Sequence, residues 1–202
     1  IARHLTECDA KLQALLRARG QRRVDLGKVP RTGSKLREEF DARQILANWA
    51  GVDLTRINGL GLTAVMKILS EPGPDLSRFA TVKHFCSWLG LCPGTKISGG
   101  KVLSANTKRS ANRVRQTLKM AAMSLSRSNS ALGAFYRRLC SRMDKPSANT
   151  ATAHKLARMV YFMLTRGEDF VDQGQQRQRS IAALKRRAAA SGFDINPTPV
   201  PA

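Results

Sequence analysis

Between Asp75 and Asp144 the chain carries no acidic residue, yet that stretch holds Arg78, Lys83, Lys96, Lys101, Lys108, Arg109, Arg113, Arg115, Lys119, Arg127, Arg137, Arg138 and Arg142. A solvated helical surface ordinarily interleaves both signs and gains i,i+4 pairs, and this segment gives them up. Whatever fold it adopts must bury its apolar positions while turning a field of one sign outward. The whole chain follows suit, with 35 Lys+Arg against 14 Asp+Glu and a formal net charge of +21. Phosphate neutralisation with counterion release favours such a surface, so the expected partner is nucleic acid. An acidic membrane surface or a merely soluble basic protein accounts for the total charge but not for its clustering.

The length of 202 residues suffices for one domain with a proper core and an appendage. Cys8, Cys86, Cys92 and Cys140 form no C-x-x-C pair, and only His4, His84 and His154 could supplement them. Neither a zinc site nor a disulfide framework is expected, and no metal ligand set is assigned. Reduced thiols, with no apolar run of membrane-spanning length and no signal peptide, point to a cytoplasmic protein. The first residue is Ile1, so an upstream portion is expected to be missing.

The periodicity predicts an all-α fold with one irregular Gly-rich loop. Ile1, Leu5, Cys8, Leu12 and Leu15 alternate steps of four and three, the spacing of a coiled-coil seam, and Gly20 is expected to end that helix. Residues 21–34 read as a basic, turn-rich loop, and Lys35 to Ala50 as a helix through Leu36, Phe40, Ile45 and Leu46. In DLTRINGLGLTAVMKILSE, Leu54 and Ile57 precede Gly59-Leu60-Gly61 and an apolar helix from Ala64 to Leu69. This pattern resembles a helix-hairpin-helix, whose Gly-x-Gly turn lets backbone N–H groups approach a phosphate. An αα-turn that needs the glycines only for geometry explains it too.

Pro72-Gly73-Pro74 breaks the chain, and Asp75-Leu76-Ser77 is expected to cap a helix across 79–89 with Phe79, Val82, Phe85, Cys86 and Leu89 as core. Trp88 can stack on a base, but among these neighbours it reads as core. Three further apolar faces follow: Val114, Leu118, Ala121, Ala122 and Leu125; then Leu132, Phe135, Tyr136 and Leu139; then Leu156, Val160, Met163 and Leu164. No strand-period segment of convincing length exists, although a hairpin is compatible with Gly99-Gly100. Beyond Gly174 a basic helix to about Ala190 is expected, and the proline-rich end is expected to be unstructured.

The stretch TKISGGKVLSANTKRSANR holds the one arrangement suited to chemistry. Ser98 precedes Gly99 and Gly100, with Lys96 and Lys101 on either side. Such a hydroxyl can meet a phosphodiester unobstructed while the cations stabilise developing charge. It still needs a base or a metal, and neither lies nearby in the sequence. On spacing alone, a phosphate-contacting loop explains the motif as well as a catalytic one. Two-metal chemistry needs converging carboxylates, which this segment lacks.

GVDLTRINGLG, SRFATVKHFCSWLGLCPGTKISGGKVLSANTKRSANR and ATAHKLARMVYFML, in that order across roughly 51–172, resemble the C-terminal domain of insertion-sequence family one-ten transposases, the bridge recombinases. The resemblance implies a bacterial DNA transposase with a nucleophilic serine, which falls on Ser98. It implies a covalent phosphoserine link to DNA and a free 3′-hydroxyl, followed by strand exchange and religation. Mg²⁺ is expected only through a separate RuvC-like carboxylate domain that precedes a coiled coil. A structured guide RNA, oligomerisation through the coiled coil and a place at the nucleoid are further implications. The chain departs from the family's T-K-x-G-N at Thr107-Lys108-Arg109-Ser110-Ala111, has Ser104 near a frequent Gly, and holds Val65 at a usual Ala.

The organisation expected is the end of a coiled-coil linker at 1–20, a variable loop and helix at 21–50, the helical serine transposase domain at 51–172 and a basic tail at 173–202. The expected nucleic-acid contacts are Gly59, Gly61, Lys96, Gly99, Gly100, Lys101, Lys108, Arg109, Arg113 and Arg115. The competing reading is a non-catalytic helix-hairpin-helix protein that binds DNA or RNA.

Overall fold

The computed structural model describes residues 2–20, 23–26, 42–104, 107, 110–167, 187, 188 and 190; side chains are not described for 2–6, 96 and 102. The chain divides into two compact units, 1–170 and 171–202. Of the second, the three described residues are helical.

The first unit is built from helices α1 (Ala2–Arg19), α2 (Ala42–Ala50), α3 (Leu62–Ser70), α4 (Val82–Trp88), α5 (Arg113–Ser124), α6 (Ala131–Cys140) and α7 (Lys145–Arg166). Two 3₁₀ turns, Leu54–Arg56 and Leu125–Arg127, and a two-stranded sheet, β1 (Lys96–Ser98) and β2 (Lys101–Ser104), complete it. The all-α expectation therefore holds for the body of the fold. The Gly-rich loop is not irregular, however. It is an antiparallel hairpin, because two consecutive glycines supply the turn that returns the chain on itself.

Helix α7 is the central element and packs against α4, α5 and α6, while α3 packs on α2 and α5. Its limits are encoded locally. Asp144 accepts from the Ser147 N–H, Pro146 stands in the first turn, and Gly167 ends the helix in the left-handed region at φ 63°. Leu156, Val160 and Met163 on its apolar stripe are buried, as are Val114, Leu118, Ala121 and Ala122 of α5, and Leu125 beyond it. These join Leu54, Ile57, Leu60, Ile68, Leu69, Phe85 and Leu89 in one core. Tyr161 reaches out of it to donate its hydroxyl to the Phe79 carbonyl at 2.9 Å.

One expected boundary moves. The helix across 79–89 begins only at Val82, because Thr81 rather than Asp75 caps it by accepting from the His84 N–H. Asp75 instead closes a local turn on Ser77. The described part of the helix expected from Lys35 starts at Ala42, and residues 35–41 lie outside the described residues. Of the loop at 21–34, residues 23–26 are described and have no regular structure. Val24 is tied to α2 there, its N–H donating to Asn48 Oδ1 and its carbonyl accepting from Gln44 Nε2.

Helix α1 ends before Gly20, whose N–H donates to Leu16 O and Arg17 O. Of its seam positions, Cys8, Leu12 and Leu15 are exposed, while Leu16, one step off the seam, packs against the core. The basic tail helix expected after Gly174 lies mostly outside the described residues.

Candidate nucleic-acid interface

The Ser98-Gly99-Gly100-Lys101 motif is a two-residue hairpin turn. Ser98 and Lys101 are register partners, and Gly99 and Gly100 both have positive φ, 55° and 75°. Successive positive φ values are the signature of the turn that matches the right-handed twist of a β ribbon, and residues with a Cβ resist them. A Cβ at either glycine would meet nothing within 4 Å, so conformation, not space, demands glycine here. Ser98 and Lys101 are both exposed. The backbone of Lys96 opens β1, paired with Ser104.

The base of the hairpin is fastened twice. Pro93 and Thr107 form an isolated antiparallel bridge below the strands. Thr107 Oγ1 in turn accepts a hydrogen bond from Arg115 Nη2 at 3.2 Å. Arg115 is only 9 % exposed. Arg113, two residues earlier, has a side chain 84 % exposed and only a loose approach of 3.9 Å to Glu71. Asn112 starts α5 by accepting from the Arg115 N–H, and its own N–H donates to Ser110 Oγ. Lys108 and Arg109, two expected contacts, lie outside the described residues.

The two glycines of the other motif differ. Gly59 has φ +93°, and a Cβ there would sit 3.0 Å from the Ala121 carbonyl and 3.1 Å from Leu125, so the turn is pressed onto the end of α5. Gly61 has φ −81° and precedes the first turn of α3 with open space around its Cβ position. Ahead of them, Asp53 is buried and caps the turn at Leu54–Arg56, accepting from the Thr55 N–H and hydroxyl. Arg43 of α2 pairs with the Asp53 carboxylate and donates to Thr55 Oγ1. The element before the glycines is thus a single 3₁₀ turn held by an ion pair.

Gly59 and Arg113 share an open cleft of ≈ 610 Å³ between α3 and α5, also lined by Lys67, Glu71, Gln116 and Met120. Trp88 is at the exposed rim of an aromatic cluster with Phe79 and Phe85, and the Arg78 guanidinium lies over both Trp88 and Phe79. Among the described residues no three His, Cys, Asp or Glu side chains converge as a metal site would require. Nor is any helix among them long and apolar enough to cross a membrane.

Sequence reading missed the Arg115–Thr107 contact and the Arg43–Asp53–Thr55 network. The second had a local signal in the Asp-x-Thr spacing, but the first had none, because Arg115 stands among other arginines. The comparison with curated proteins found no match for the chain. Residues 52–137, from two residues before the 3₁₀ turn that precedes α3 to the seventh residue of α6, match the model of the IS116/IS110/IS902 transposase family. That match supports the family, and over this span, which holds the glycine turn, the hairpin and the α3–α5 cleft, the chain is similar to insertion-sequence transposases.

Proposed function

We propose that this chain acts in a DNA transposase that cuts and rejoins strands through Ser98. The observation that carries the reading is the hairpin turn itself, which presents an exposed serine beside Lys101 at the tip of a fastened ribbon, inside the family-matched span. The Ser98 Oγ attacks phosphorus, an Oγ–P bond forms, and the P–O3′ bond breaks. The serine proton leaves with a base, and the departing 3′ oxygen takes up a proton. Attack by the freed 3′-hydroxyl of another strand reverses these changes, so the bond energy is conserved and no hydrolysis is needed.

Lys101 neutralises a phosphate at the turn, and the positive field of 76–143 holds the flanking DNA. Arg115 acts through Thr107 to set the ribbon's direction. Gly61 is the place where backbone N–H groups at the start of α3 can meet a phosphate. By the resemblance, Mg²⁺ would be held by a separate carboxylate domain. A structured RNA partner and oligomerisation through α1 remain part of the proposal on the strength of the resemblance alone.

The test is Ser98→Ala in the transposase expressed from its complete reading frame. Covalent protein–DNA adducts should disappear while DNA affinity stays within a few-fold, since one lost hydroxyl contact is worth about 1 kcal/mol. Adducts that survive in the alanine variant, or a nucleotide mapped by mass spectrometry to another residue, would remove Ser98 from the mechanism, and a parent protein that binds DNA without forming any adduct would favour the binding-protein reading.

A further inference from the structure

The hairpin carries two features that strand cleavage does not use. Ile97 on β1 is 65 % exposed and Leu103 on β2 is 69 % exposed. Large apolar side chains so open to water lose the favourable burial they would have in a core. The register adds a second oddity. Lys96 pairs with Ser104 and Ile97 with Val102, so Leu103 is an extra residue opposite no partner. A bulge of this kind bends a strand and re-aims a side chain.

We propose that the β1–β2 ribbon is an insertion arm whose Ile97 and Leu103 side chains wedge between stacked bases of duplex DNA beside the phosphodiester offered to Ser98. Apolar wedges that unstack a base step are a general means by which basic proteins kink DNA, and a two-stranded ribbon is narrow enough to enter a groove. The charge around the ribbon selects the occupant. The nearest acids in sequence are Asp75 and Asp144, Lys101 stands at the tip, and Lys96 opens β1. A polyanion is attracted to such a surface, whereas a protein partner would have to be unusually acidic. The Pro93–Thr107 bridge and the Arg115 contact fasten the ribbon's base, as an arm that pushes bases apart requires. The inference rests on the reading that the hairpin meets DNA, and not on Ser98 being the nucleophile.

The experiment measures affinity of the full 202-residue chain for a perfect duplex and for the same duplex with a central mismatch. A mismatched step is already partly unstacked, so a wedge should favour it by about ten-fold. The double variant Ile97→Ser, Leu103→Ser should lose that preference and bind the two duplexes equally. Both side chains are exposed, so the variant is expected to fold, which circular dichroism verifies. Lys101→Ala should weaken both duplexes equally. Equal binding of the two duplexes by the parent, or a preference that survives in the double variant, overturns the proposal. If sedimentation shows instead that the double variant changes its oligomeric state with the preference intact, the ribbon is a protein interface and the wedge is wrong. Failure to bind either duplex defeats the DNA reading as well.

Discussion

Arg115 and Thr107 join helix α5 to the root of the Ser98 hairpin: the guanidinium Nη2 donates to Thr107 Oγ1 at 3.2 Å from a position only 9 % exposed. Thr107 also bridges Pro93, so one arginine side chain couples the first turn of the helix to both legs of the ribbon.

Replacing Arg115 by Ala should therefore cost about 1.5–3 kcal/mol, the range for a hydrogen bond involving a charged group. Amide exchange in the hairpin should accelerate more than in α7. Lys should not rescue the effect, because it lacks the planar fork that reaches sideways to the hydroxyl. Unchanged exchange in 96–104 would show that the ribbon is held by its own strands alone.

The glycines of the turn before α3 should separate. Gly59→Ala meets both a positive φ and contacts of 3.0–3.1 Å, so a loss of about 2 kcal/mol or more is expected. Gly61→Ala meets no neighbour and has an ordinary φ, so stability should change by less than about 1 kcal/mol. DNA affinity should nevertheless fall in Gly61→Ala if a phosphate rests on that backbone. Thermal melts alongside binding isotherms distinguish the two, and equal melting temperatures would contradict the packing of Gly59 on α5.

Replacing Lys108, Arg109 and Arg113 together with Ala should flatten the dependence of affinity on salt. Each phosphate released contributes about 0.9 to the slope of log K against log salt, so three lost contacts amount to about 2.7. Arg115 is left out because it is only 9 % exposed and its loss would also loosen the hairpin. An unchanged slope would move the binding surface away from the loop after the hairpin.

Cys86 gives a pH-dependent signature of the core. Burial, followed by the neighbouring Cys92 thiol, pushes its pKa from the ordinary 9.0 up to about 12. In the unfolded chain this thiol releases its proton near pH 9, while in the folded chain it stays neutral. The unfolded state then binds fewer protons, and stability should fall by about 1.4 kcal/mol per pH unit as pH rises from about 9 toward 12. Denaturant titrations of the parent and Cys86→Ala should converge as pH rises through that window. In thiol labelling at neutral pH, exposed Cys8 should react first and Cys86 only on unfolding.

Much of the helical body was legible in the sequence. The apolar steps through Val114, Leu118, Ala121, Ala122 and Leu125, and through Leu156, Val160 and Met163, mark the faces that are buried. Helix propensity, caps and glycine turns act over a few residues, so Gly20 could be placed as a helix stop from the local pattern. The pair Gly99-Gly100 was compatible with a hairpin for the same reason, since positive φ is a property of the residue itself.

What the tertiary structure alone decided concerns identical residue types with different fates. Arg113 and Arg115 stand two apart on one helix, and only the arrival of Thr107 from the hairpin makes the second a buried tether while the first stays in water. Gly59 and Gly61 read as one motif, yet the end of α5 presses on the first and leaves the second open. Leu16 packs on the core while Leu12 and Leu15, on the predicted seam, face outward. In each case the deciding partner comes from another element, eight residues away for Arg115 and more than sixty for Gly59, and burial is settled by which surface arrives, something the periodicity of a single helix does not contain.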